Sequence, residues 1–163
     1  MKSKIFSFQI GWKFRRYWKN YTIQSLLATG SVFIVIYFLS MQHAVIVASI
    51  GATTFIVFAM PEGLTAKTRN VIGGHIVGLL CGFLCSLVSH PSILSSALVY
   101  ALAVGVSMFI MVATDTEHPP AAGTALGVAM TGITLPVLIV VVLSIVILSI
   151  LHRLLRPFLR DLT

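Results

Sequence analysis

Thr114-Asp-Thr-Glu-His-Pro-Pro-Ala-Ala-Gly-Thr-Ala-Leu-Gly-Val-Ala-Met130 is the stretch on which the reading of this chain turns. Two carboxylates, a histidine, a proline pair and a run of small residues interrupt an otherwise almost continuously apolar sequence. Pro119 and Pro120 lack backbone donors and push the residues before them out of the helical region. Proline suits the first turn of a helix, so a helix can start at either one, and Ala121 through Met130 can continue it. The expected element is an extended lead-in and a short helix whose N-terminus points into protein. Free N–H groups and the positive dipole end would make that terminus a place for an anion.

Outward from this stretch, composition fixes the class. Of 163 residues, 58% are hydrophobic and 9% charged, with a mean hydropathy of +1.02. A soluble domain of this size could not cover so much apolar surface, so the chain reads as an all-α integral membrane protein. Its length suits one helical bundle. The net charge of +7 could suggest nucleic acid, but the placement of the cations argues against that. Six of them, Lys2 to Lys19, precede the first apolar segment; Lys67 and Arg69 share a loop; Arg153, Arg156 and Arg160 close the chain. Cys81 and Cys85 are four apart on an apolar segment, which is neither a zinc nor a redox spacing, and read as small buried hydrophobes.

Residues 1–21 form a basic, aromatic segment expected to lie at the membrane surface, with Trp12, Tyr17 and Trp18 at headgroup level. No small-x-small cleavage site closes the apolar run after it, so a signal peptide is not expected. The membrane domain spans 22–155, and 156–163 reads as a cytoplasmic tail. Apolar segments fall at about 22–40, 43–60, 70–89, 93–113, 119–132 and 134–153, most of them long enough for a core of roughly 30 Å. If all six cross and the N-terminus is cytoplasmic, every Lys and Arg falls inside, as the positive-inside rule expects. A fifth segment that dipped in and returned would put the last three arginines outside, so six crossings are favoured.

Ala52-Thr-Thr-Phe-Ile-Val-Phe-Ala-Met60 resembles Ala122-Gly-Thr-Ala-Leu-Gly-Val-Ala-Met130, with Ala, Thr, Ala and Met in register. Three segments per copy would invert the halves, a recurring transporter plan with interrupted helices at corresponding places and a site near the midplane. The expected architecture is an inverted three-plus-three bundle with broken second and fifth helices.

The motifs Glu117-His-Pro-Pro-Ala-Ala-Gly-Thr-Ala-Leu126, Gly51-Ala-Thr-Thr-Phe-Ile-Val-Phe-Ala-Met-Pro61 and Thr68-Arg-Asn-Val-Ile-Gly-Gly-His-Ile-Val-Gly78 together resemble the HPP family of integral membrane proteins. The name-giving triplet is His118-Pro119-Pro120. The family is usually described with four membrane helices, fewer than the six segments counted here. Some of its members are linked to nitrite transport. The resemblance implies a small-anion transporter, with nitrite the best single substrate.

The candidate substrate-binding residues are His118, Thr53, Thr124, Gly123, Ala122, Gly51 and His75. His118 can donate to an anion or carry a proton, since histidine titrates near neutral pH. Ionisable groups at membrane depth are costly and usually functional. Gly51, Ala52, Thr53 and Thr54 would open one short helix, and Ala121 to Thr124 the other, their N-termini facing across the midplane. Glu117, Asp115 and Arg69 are candidates for proton or charge relay, although carboxylates repel an anion. Gly74, Gly78 and Gly82 recur every four residues and read as a close-packing seam, with His75 beside it.

No nucleophile-and-base pattern, phosphate-cradling loop or metal spacing points to an enzyme, a cofactor or a metal site. The reading is therefore movement of a small monovalent anion, nitrite by the family resemblance, past donors that carry no fixed positive charge. A homo-oligomer in the lipid bilayer is expected, because so small a bundle has little lateral surface to spare. The alternatives are a channel or transporter for a neutral solute or a cation, and a membrane scaffold or sensor that recruits a partner through its basic N-terminus.

Overall fold

The computed structural model describes residues 2–38 and 43–162, with side chains from Arg15 onward except at positions 35, 36 and 38. Trp12, expected at headgroup level, thus lies outside the residues whose side chains are described. Six helices follow in order: α1 (Lys2–Phe38), α2 (Ala44–Ala59), α3 (Thr68–Ser86), α4 (Ile93–Ala113), α5 (Pro119–Thr131) and α6 (Leu135–Leu155). The last five apolar segments read from sequence coincide with α2 to α6 to within a few residues. The basic N-terminal segment and the first apolar segment form one unbroken helix.

Helices α3, α4 and α6 are long and apolar enough to cross a membrane; α2 and α5, at 16 and 13 residues, are shorter. α4 buries a single stripe, Val99, Ala103, Ser107 and Met111, spaced every four residues. Its other faces present Leu94, Leu98, Leu102, Met108 and Phe109 outward. A helix with a narrow inner stripe and so broad an apolar exterior suits hydrocarbon as its surroundings.

The ends of the helices gather at two faces. At one, Leu162 N–H donates to Ala59 O, His152 Nε2 to Pro61 O, and Arg69 to Thr114 O. Arg160 stacks over Tyr17 of α1 at 5.5 Å, and Gln24 Nε2 donates to Arg160 O. The start of α3, the ends of α2, α4 and α6, and residues 114–118 all meet here, with residues 156–162 folded back against α1 and α2. At the opposite face, His43 and Ala44 share a cleft with Met130 and Thr131. The helices therefore alternate in direction, and α5 runs the length of the bundle instead of turning back. Glu62, Lys67, Arg69, Asp115, Arg153, Arg156, Arg160 and Asp161 are all exposed at the first face. The loops at the second face contain no Lys, Arg, Asp or Glu.

Exchanging α1 with α4, α2 with α5 and α3 with α6 carries the principal helix pairs onto one another. Pair α1–α2 maps onto α4–α5, α3–α5 onto α6–α2, and α3–α4 onto α6–α1, while α2–α5 and α3–α6 map onto themselves. With alternating directions, this is the neighbour pattern of an inverted three-plus-three arrangement.

One local expectation changes. Residues 51–54 do not open a helix; they lie inside α2, which runs unbroken from Ala44. Thr54 donates its hydroxyl to Ile50 O at 2.8 Å, and Thr53 Oγ1 lies 3.1 Å from Ser49 O, each carbonyl being four residues back. Such contacts with the preceding turn let threonines sit inside a helix. Gly51 costs the helix about 1 kcal/mol against alanine, a cost that burial of the flanking Ile50 and Thr54 overrides.

Candidate functional site

The site begins with how closely α5 approaches α3. A β-carbon at Gly74 would lie 2.7 Å from the His118 β-carbon, and one at Gly82 would lie 2.5 Å from Ala125 O. At Gly78 it would overlap the Ala121 carbonyl. Glycine at these three positions lets backbone meet backbone, which is the seam expected from the spacing. The extended backbone of His118, fixed by the prolines after it, then points the imidazole into the bundle.

There it joins a buried polar cluster. Thr53 Oγ1 lies 2.9 Å from His75 Nε2 and 2.9 Å from His118 Nε2. His75 Nδ1 is 2.9 Å from Thr124 Oγ1, which is 2.7 Å from Ser49 Oγ. Ser49 donates to Pro120 O at 2.5 Å, and His118 Nδ1 donates to Thr65 O at 2.8 Å. The two rings are 5.1 Å apart and inclined by 50°. Thr53, His75, His118 and Thr124 have no exposed surface, and Ser49 has 4%. The donation to a carbonyl fixes His118 Nδ1 as protonated, so in the neutral ring Nε2 is an acceptor. At 1.5 Å per residue, Thr53, His75 and Thr124 sit roughly 8–11 Å from the ends of their helices at the charged face. With α3 about 28 Å long, the cluster lies on the charged-face side of the middle and within a few ångströms of it.

Of the expected substrate residues, the structure brings together Thr53, His75, His118 and Thr124. The others fall elsewhere. Gly51 faces Val32 of α1, and Gly123 packs on Ser49. Ala122 is part-buried on α5. The expected pair of opposed helix N-termini is not formed, because α2 presents its middle, Ser49 and Thr53, to the start of α5. Nor does α5 offer a nest of free N–H groups: Pro119 and Pro120 have none, and Ala121 N–H donates to His118 O at 2.8 Å. Any anion held here would rely on side-chain donors.

The relay candidates stand at the edge. Asp115 and Arg69 are 4.0 Å apart, with their side chains 83% and 66% exposed, and Arg69 donates to Thr114 O. Asp115 also has a positive φ of 53°, which reverses the chain before the lead-in. Glu117 is part-buried, and its backbone carbonyl accepts from Asn70 at 3.1 Å. Among the described residues, no group of three His, Cys, Asp or Glu side chains assembles to hold a metal.

Sequence reasoning missed Ser49, the Thr65 carbonyl and Asn70. Ser49 had a signal: it precedes Thr53 by four residues and so shares its face. Thr65 and Asn70 had none, since what they contribute is a position in the loop and at the start of α3.

An alternating bundle of apolar helices with all its described charged side chains toward one face and a sealed hydroxyl–imidazole core defines a polytopic membrane protein with an internal polar site. Residues 14–158 match the family model described as HPP, transmembrane region, and the chain belongs to that family. It is also similar to a transmembrane protein of Dictyostelium discoideum, 34% identical over 97 residues. That alignment covers 54% of this chain and 31% of the relative. No solved structure matches the chain.

Proposed function

We propose that this protein moves a small monovalent anion across the membrane, with nitrite as the first substrate to test. The observation that carries the reading is the buried cluster of Ser49, Thr53, His75, His118 and Thr124 inside an apolar bundle. Hydroxyl and imidazole N–H groups can replace water around a compact anion with two oxygen acceptors. A fixed cation path is disfavoured, because the four carboxylates, Glu62, Asp115, Glu117 and Asp161, all lie at the charged face or in the lead-in and none is in the cluster. The surplus of Lys and Arg at that face would concentrate anions there. By the positive-inside rule the same face is cytoplasmic, with the N-terminus on that side. The reading includes self-association, to be read from the mass of the protein in nanodiscs.

The test is nitrite flux into liposomes holding the purified protein. Flux well above empty liposomes is expected, with none for potassium. His118→Ala and Thr53→Val should each reduce nitrite flux on the order of a hundredfold, the scale of a lost oriented donor in a buried site. Absence of nitrite flux, or a His118→Ala protein that transports as well as the parent, overturns the proposal.

A further inference from the structure

The buried cluster has more contacts than protons to fill them. Six contacts run in a line: Thr65 O to His118 Nδ1, His118 Nε2 to Thr53, Thr53 to His75 Nε2, His75 Nδ1 to Thr124, Thr124 to Ser49, and Ser49 to Pro120 O. Each needs one hydrogen between its two heavy atoms. Two neutral imidazoles and three hydroxyls bring five. The contact from Thr53 to Ser49 O, within α2 and the longest at 3.1 Å, only deepens the shortfall. Both ends of the line are carbonyls, which can only accept, so His118 Nδ1 and Ser49 Oγ must donate. With neutral rings, one contact between them is left as two facing lone pairs inside a sealed core.

One more proton fills the line completely, in either of two ways. With His118 doubly protonated, Nε2–H donates to Thr53, Thr53 donates to His75 Nε2, His75 Nδ1–H donates to Thr124, Thr124 to Ser49, and Ser49 to Pro120 O. With His75 doubly protonated, only the middle pair reverses: His75 Nε2–H donates to Thr53, and Thr53 donates to His118 Nε2. The two forms interconvert by one concerted shift. The N–H bond at His118 Nε2 breaks as an O–H bond forms at Thr53, and the old Thr53 O–H breaks as N–H forms at His75 Nε2. Atoms and charge balance, and the positive charge moves from one ring to the other.

We infer that His118, Thr53 and His75 form a binding site for a single proton, passed between the rings through the Thr53 hydroxyl, and that this proton travels with the anion. The second clause rests on the anion-transport reading above. A lone imidazolium or a lone anion in this core is costly, whereas the two together are neutral. No fixed charge competes for that role. Helices α2, α4 and α5 contain no Lys, Arg, Asp or Glu, and α3 has only Arg69 at its exposed start, with Cys81 further along it. The lead-in contributes Asp115, exposed, and Glu117, part-buried, and residues 60–67 contribute the exposed Glu62 and Lys67. Two full charges on rings 5.1 Å apart would repel, which limits the site to one proton.

The test uses the full chain in nanodiscs with ¹⁵N-labelled histidine, titrated by NMR between about pH 9 and pH 4. One protonation step sensed by both rings is expected, as befits a coupled pair. Thr53→Val should make the rings titrate separately, and Thr53→Ser, which keeps the hydroxyl, should restore the shared step. Rings that titrate independently in the parent, that take up no proton, or that stay coupled in Thr53→Val overturn the proton site. In liposomes, uptake of nitrite should rise with an inward proton gradient and ignore a potassium-diffusion potential, because one proton and one nitrite carry no net charge. Flux that follows the potential and ignores the gradient overturns co-transport. No nitrite flux alongside a shared titration step overturns the transport reading while supporting the proton site.

Discussion

The α3–α5 and α2–α6 contacts both join the two halves of the bundle and exchange with one another under the repeat, yet they are built in opposite ways. Gly74, Gly78 and Gly82 of α3 admit the backbone of α5, and the polar cluster hangs on that closeness. Across the molecule, Ile46, Ile50, Val57 and Phe58 of α2 belong to one apolar cluster with Val137, Val141, Ile145 and Leu148 of α6. Branched aliphatic side chains and Phe58 fill that contact. One of these two related contacts carries the polar cluster, and the other is filled with apolar side chains. In lipid, where apolar surface gains little by leaving hydrocarbon, close packing is the main source of helix association, so the glycine seam is also the tighter constraint.

Breaking the seam should have the largest effect. Gly78→Val places a branched side chain on the Ala121 carbonyl, where only displacement of α5 gives relief. The expected cost is about 3 kcal/mol or more, seen as a fall in thermal unfolding temperature and loss of a monodisperse elution peak. Parent-like stability would show that the two helices are not held at this distance. On the other side of the comparison, Ile145→Ala should cost about 2 kcal/mol through the cavity it leaves. Nitrite flux in that variant should stay near the parent's at temperatures below unfolding; a large loss of flux would mean the two contacts are not separable. Thr53→Val should fall between them in character: within about 1.5 kcal/mol of the parent in stability, since its shape is preserved, while flux collapses. The smallest effect belongs to Arg69→Ala. Its contact with Asp115 is an exposed pair contributing at most about 1 kcal/mol. Any drop in nitrite flux should appear at low ionic strength and fade near 0.15 M salt, roughly where the screening length reaches 8 Å.

Much of the fold was legible because hydrocarbon imposes a simple rule: long apolar runs must be helices and charges must lie outside them. The start of α5 was legible from Pro119 and Pro120, and the seam from three glycines at four-residue spacing. The site was legible in part. His118 stood out by being ionisable next to a proline pair, and Thr124 followed it on α5. The expected break at residues 51–54 was not found, because threonine hydroxyls can close on their own helix, and no local pattern distinguishes that from a helix start.

By itself, then, the sequence determined the membrane class, six helical segments, the side on which charge collects and the unusual backbone around His118. These follow from composition and local sterics, which act over a few residues. Only the tertiary structure decided that Thr53 stands between two imidazoles, that Ser49 and Thr65 complete their contacts, and that the α5 N-terminus has no free donors. Those partners are 22 to 75 residues apart along the chain. Their meeting depends on which helices pack and how closely, a property of the whole bundle and not of any stretch within it.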